Sequence, residues 1–283
     1  MKIGILIRVF NRMEDLKICV QAVTRYWNHF SKEIVVVSNG KSLGYEIPNE
    51  VRTAVDKTIE LEENAGHQKG NSQLLTEGIR YISDDCDFII LLEADTWVFG
   101  DEVIAKYTKL MTEKNIVWAS SEWIERYYSL GLDFAIVNAK FLKENMDILR
   151  FETHSEVWVC HYLLEKGAPF VYIKENMPTH LPKSFRKFSD VFKGRFKSFP
   201  KSKMVTHHVE ELTYGIEEKK LEANICLNRN EFPISSEKNI HFENLKLRLL
   251  FFLQALFPRS KWFRSKKRYD YEYISAVSSG ERT

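Results

Sequence analysis

The apolar run Phe88-Ile-Ile-Leu-Leu92 ends on Glu93 and Asp95, two carboxylates one residue apart. Side chains on an extended chain alternate faces, so these two acids point the same way. They repel each other unless something positive sits between them. The plain reading is a solvated turn in which Asp95 caps the next helix. The chemical reading is a cation site at the carboxyl end of a sheet strand. Hard cations such as Mg²⁺ or Mn²⁺ take oxygen ligands and would share them between carboxylate and phosphate.

Other polar turns belong beside this pair. Phe10-Asn11-Arg12 and Ser38-Asn39-Gly40 each close an apolar run. The loop Asn64-Ala-Gly-His67-Gln-Lys69-Gly-Asn71 holds two glycines, which let backbone amides approach a ligand, and Lys69 adds positive charge. Neither GxxxxGK[ST] nor a GxGxxG after the first apolar run occurs, so this is neither a Walker loop nor a dinucleotide fingerprint. A nucleotide diphosphate held with a divalent ion fits the pieces better.

The elements that must position these turns follow from hydrophobic period. Residues 2–9, 33–40 and 88–92 read as strands, continuous apolar runs suited to burial on both faces, and residues 53–61 contain a short further strand. Leu16, Val20, Val23 and Trp27 recur at helical spacing within residues 13–30, and a second helix is expected over 71–83. This alternation predicts an α/β fold: a Rossmann-like, mainly parallel sheet flanked by helices. Further strands are expected at 116–120, 134–138 and 170–173, with a helix over 156–165.

The chain has 283 residues, with 44% hydrophobic and 28% charged, ordinary values for a globular protein of one large domain or a domain plus an appendage. A net charge of only +2 and the absence of a recognised motif argue against a nucleic-acid partner. Four scattered cysteines point to reduced thiols and a cytoplasmic setting. The apolar start is short and broken by Arg8, unlike a signal peptide. Composition shifts near residue 181, dividing the chain into 1–180 and a basic, aromatic extension over 181–283. That extension is expected to carry an amphipathic helix near 241–268, apolar first and then rich in Lys and Arg. Such a helix suits either packing on the sheet domain or contact with an anionic membrane surface, and it leaves a homodimer open.

Taken in order, these pieces resemble nucleotide-sugar-dependent glycosyltransferases of the GT-A fold, family-2-like. The matching segments are Val9-Phe10-Asn11-Arg12, Val37-Ser38-Asn39-Gly40, Asn64-Ala65-Gly66 with Lys69-Gly70-Asn71, and Glu93-Ala94-Asp95 in the place of Asp-x-Asp. The resemblance covers roughly residues 2–180. It places Glu156, in Ser155-Glu156 at the start of a helix ending at Gly167, at the position of the general base. It places His180 of Pro178-Thr179-His180 where a histidine reaches metal or diphosphate. Glu93, Ser38 and Ser155 stand where the family usually has Asp or another acid.

The resemblance implies an inverting transfer of sugar from a UDP-, GDP- or dTDP-sugar to a hydroxyl of a glycan or lipid-linked acceptor. Asp95 and His180 would hold Mn²⁺ or Mg²⁺, with Glu93 near by. Asn11, Arg12, Asn39, Asn64, His67, Lys69 and Asn71 would contact nucleotide and donor. Asp133, Glu122 and Glu152 are rival bases to Glu156. The expected setting is cell-surface polysaccharide or lipopolysaccharide synthesis at the cytosolic face of the inner membrane. A sugar nucleotidyltransferase and a non-catalytic, membrane-tethered binding protein are the alternatives.

Overall fold

The computed structural model describes residues 1–122, 128–176, 198–206 and 215–234, together with the helical positions Leu245, Leu249 and Phe252. Its strands are β1 (Lys2–Val9), β2 (Ser31–Ser38), β3 (Lys57–Glu60), β4 (Phe88–Glu93), β5 (Thr96–Val98), β6 (Trp118–Ser120), β7 (Phe134–Asn138), β8 (Phe170–Tyr172), β9 (Ser198–Phe199) and β10 (Met204–Thr206). The helices are α1 (Met13–Tyr26), α2 (Asn49–Ala54), α3 (His67–Ile79), α4 (Glu102–Lys114), α5 (Ala139–Glu144), α6 (Ser155–Glu165) and α7 (Ile216–Leu227).

Seven strands form one sheet in the order β3-β2-β1-β4-β7-β6-β8. All run parallel except β7, which is antiparallel to both β4 and β6. The expected mainly parallel α/β sheet flanked by helices is therefore present. Alternation along β1 sends Ile3, Ile5, Ile7 and Val9 to one face, against Leu16, Cys19, Val20 and Val23 of α1 and Val103, Ile104 and Met111 of α4. Leu6 faces the other side, among Leu74, Leu75 and Ile79 of α3, Leu142 of α5 and Val159 and Leu163 of α6. Each such aliphatic side chain contributes roughly 1.5–3 kcal/mol when fully buried, which is why the central strands need no polar face.

Helix boundaries differ from the periodicity in instructive ways. α3 begins at His67 instead of residue 71, because Gly66 adopts φ +90°, ψ −166° and turns the chain directly into the helix. α2 is a six-residue helix led by Pro48, too short to show a period.

Two stretches beyond residue 180 pack on the first part. β10 pairs with β5 and β9 in a second, three-stranded sheet, and α7 packs over it, burying Ala223 and Cys226 in the same core as α1. The helix expected near 241–268 lies outside the described residues, except that Leu245, Leu249 and Phe252 are helical and exposed. Among the described residues, no helix is long and apolar enough to cross a membrane.

Candidate active site

The chain runs from β1 outward to β2 and β3, then crosses back to place β4 on the other side of β1. The carboxyl ends of β1 and β4 are thus a topological switch point, where open α/β sheets leave a crevice for ligands. A cavity of about 610 Å³ opens there. It is lined by Arg8 to Arg12 at the carboxyl end of β1, Asn39 after β2, Glu93 to Asp95 at the carboxyl end of β4, and Asn64, Gly66, His67, Gly70 and Asn71 around the start of α3.

Local chemistry shapes that rim. Asn64 Oδ1 accepts the Gly66 amide at 2.8 Å, an Asx turn that leads into α3. The first turn of α3 carries no acid and its N-cap Gly66 offers no side-chain cap, so the positive end of its dipole stands at the cavity rim. Asn39 is 2% exposed, and its Nδ2 donates to Gly70 O at 3.4 Å. Among the described residues its Oδ1 has no hydrogen-bond partner, a buried acceptor at the cavity wall. Gly40 lies beneath the rim because a Cβ there would come within 2.1 Å of the Phe10 carbonyl.

The repulsion between the two acids is answered by arginines. Arg8 lies opposite Glu93 in the β1–β4 register. Its Nη2 donates to Glu93 Oε1 at 2.7 Å and to Leu132 O at 2.6 Å. Arg12 Nε stands 3.5 Å from Asp95 Oδ2. A third cation, Lys219 of α7, donates to Asp15 Oδ1 at 2.6 Å and to the backbone carbonyl of Asp95. Burial pushes the Asp15 carboxyl above the usual aspartate range; Lys219 opposes the rise, Asp95 adds to it and Arg12 subtracts.

Most of the residues singled out in the sequence meet here. Asn11, Arg12, Asn39, Asn64, His67, Asn71, Glu93 and Asp95 all line the cavity. Lys69 does not; it turns outward to Glu152, 3.1 Å away, and both side chains are exposed. Glu156 opens α6 in a half-buried position and is not among the lining residues. Of its rivals, Glu122 and Asp133 are buried, and Asp133 Oδ2 accepts from Thr206 at 3.0 Å. His180 lies outside the described residues. Arg8 and Lys219 were missed. Arg8 had a signal, a lone charge inside an apolar strand, which must find an acid when buried. Lys219 had none, since its partners lie 204 and 124 residues away.

The donor set can be weighed against a divalent ion. Asp95 is 5% exposed and borders the cavity, while Glu93 is engaged by Arg8. A single carboxylate bordering the cavity beside a helix amino terminus fits Mg²⁺ or Mn²⁺, which use one or two carboxylates and leave their other positions to water and phosphate. Among the described residues, the group of ligand-type side chains close enough to share an ion is Glu33, Asp85 and Cys86, near the opposite end of the strands. There Lys2 lies 3.5 Å from Glu33 and 2.7 Å from Asp85, so an ammonium already balances the acids.

No family model matches the chain, and no curated protein sequence does. Solved structures are similar to it at low identity. TarS 1-349 from S. aureus is 13% identical, with 92% of this chain and 75% of that chain covered and a TM-score of 0.47. Mouse Xyloside xylosyltransferase 1, apo form, is 10% identical, with 75% and 99% covered and a TM-score of 0.48. Mannosyltransferase PcManGT from Pyrobaculum calidifontis, in complex with GDP-Man and Mn²⁺, is 10% identical, with 98% and 84% covered and a TM-score of 0.47.

Proposed function

We propose that the chain is a nucleotide-sugar-dependent, inverting glycosyltransferase. The observation that carries this reading is the cavity at the β1/β4 switch point, where Asp95 and Arg12, the amino end of α3 and the Asn39 amide converge. The charges suit a diphosphate. Arg12 and the α3 amides meet its oxygens. The unpartnered Asn39 Oδ1 accepts from a base or ribose donor. Asp95 would hold a divalent ion, with His180 as the second ligand that the resemblance implies, and the ion would supply neutralisation of the leaving diphosphate. Glu156 takes the proton of the acceptor hydroxyl as that oxygen bonds to the anomeric carbon and the bond to the diphosphate oxygen breaks. Single displacement on the face opposite the leaving group inverts the centre.

The acceptor side of the proposal is a glycan or lipid-linked glycan at an anionic membrane surface, in cell-surface polysaccharide or lipopolysaccharide synthesis. Leu245, Leu249 and Phe252 support it: they are 54–64% exposed, with spacings of four and three that place them on one helical face. The basic residues from Arg259 to Arg268 follow this face in sequence.

Calorimetric titration of UDP, GDP, CDP and dTDP, with and without Mn²⁺, tests the donor site on wild type and Asp95→Asn. Binding of one nucleotide that needs Mn²⁺ and is lost in the variant is expected. No nucleotide binding in any condition would overturn the reading.

A further inference from the structure

The cavity draws on an element that the chain reaches only after residue 215. Lys219 of α7 has a fully buried side chain. A buried ammonium is costly unless it is paired and its protons are used. Asp15 of α1 supplies the charge at 2.6 Å, and the Trp97 ring lies below, 4.1 Å from Nζ to its centroid. Charge balance is complete with Asp15. The remaining contact goes elsewhere, to the main-chain carbonyl of Asp95.

That carbonyl sits at a sharp handover. β4 belongs to the large sheet and ends at Glu93; β5 belongs to the small sheet and starts at Thr96. Only Ala94 and Asp95 connect them. The Ala94 amide donates to Arg8 O at 3.0 Å, which fixes the near side of the turn to β1. Lys219 holds its far side. Thr96, the next residue, meets the Thr206 hydroxyl, so β10 braces the same point. The direction in which the Asp95 side chain leaves the turn is set by these main-chain contacts, and it leaves toward the cavity and Arg12.

We infer that Lys219 is a positioning residue of the candidate site: by holding the Asp95 peptide from behind, it aims the carboxylate into the cavity and makes α7 part of the active centre. This rests on the donor-site reading of Asp95 given above. Groups that orient metal ligands from outside the coordination shell typically change affinity by about 10- to 100-fold when removed.

The test separates this role from stability. Lys219→Met alone strands the buried Asp15 carboxylate, so the informative variant is Asp15→Leu/Lys219→Met, in which an apolar pair of similar volume replaces both charges. A companion, Asp15→Asn/Lys219→Gln, removes both charges but keeps an amide at 219 able to donate to the carbonyl. Thermal melting reports folding, and calorimetry reports Mn²⁺-dependent binding of whichever of UDP, GDP, CDP or dTDP the wild type selects. Expected is a folded Leu/Met variant with affinity about 10- to 100-fold weaker, and an Asn/Gln variant that recovers most of the loss. Wild-type affinity in the folded Leu/Met variant overturns the inference and leaves the donor site standing. Equal losses in both variants also overturn it, as does failure of both to fold, which would assign Lys219 to stability alone. A wild type that binds no nucleotide removes the donor-site reading itself, and the inference with it.

Discussion

Replacing Arg8 by Met should destabilise the fold by about 3 kcal/mol. The Arg8 side chain is 2% exposed and that of Glu93 is 21% exposed. One guanidinium nitrogen serves both Glu93 Oε1 and Leu132 O. Removing one member of a buried ion pair costs about 3–5 kcal/mol, because the other charge is left uncompensated. Water at the partly exposed Glu93 recovers some of this, while the lost partner of the Leu132 carbonyl adds about 1 kcal/mol or more. Arg8→Met/Glu93→Gln removes both charges, so its cost should fall to roughly 1 kcal/mol, giving a coupling of about 2 kcal/mol or more across the cycle. Urea unfolding followed by tryptophan fluorescence reads Arg8→Met, Glu93→Gln and the double variant, since Trp27, Trp97 and Trp118 are fully buried. A single variant within 1 kcal/mol of wild type, or a double variant whose cost equals the sum of the singles, would refute the assignment of Arg8 as the counter-charge of the acidic turn.

Two further outcomes follow from geometry already described. Gly66→Ala should cost about 1–3 kcal/mol in urea unfolding, because φ +90° with ψ −166° is a glycine region, and no atom lies within 4 Å of the added methyl to offset or worsen the strain. An unchanged midpoint would show that α3 can start without that conformation. At low pH, Glu175 matters. Burial raises its carboxyl, but hydrogen bonds from Lys106 and Tyr107 outweigh burial and hold it below the ordinary glutamate range. Its stabilisation is therefore complete above that range and is lost as pH falls through the lowered value. Melting temperatures measured between roughly pH 6 and 3.5 should fall less steeply for Glu175→Gln than for wild type; parallel curves would contradict this.

Much of the sheet was readable because its strands are buried on both faces. β7 falls on the expected residues 134–138, and β1 and β4 end at the polar turns that marked them. Its antiparallel direction carries no sequence signal, since a short apolar run reads the same either way. The rim of the cavity was readable for a related reason: Asn11, Asn39, Asn64 and Asp95 each interrupt a regular pattern where a strand or loop must turn. The second ring of contacts was not. Arg8 was visible as a charge in an apolar strand, but its link to Glu93 depends on β1 and β4 being neighbours. Lys219 sits in an ordinary-looking helical run, and only the folded chain brings it under Asp95. Lys69 misled for the opposite reason, because its loop is close to the cavity while its long side chain leaves toward Glu152.

The cysteine under the acidic turn gives this chain a built-in reporter. Cys19 of α1 is fully buried, and its thiol lies 3.5 Å from the Thr96 carbonyl and 3.9 Å from that of Glu93. Burial pushes the Cys19 thiol well above the usual range, so the sulfur stays a protonated, inert thiol while the turn is closed. A thiol reagent can meet it only when α1 and the turn separate. The pace of alkylation at this one atom is thus a clock for breathing of the cavity floor, readable by mass without any label, and any occupant that braces the floor slows the clock.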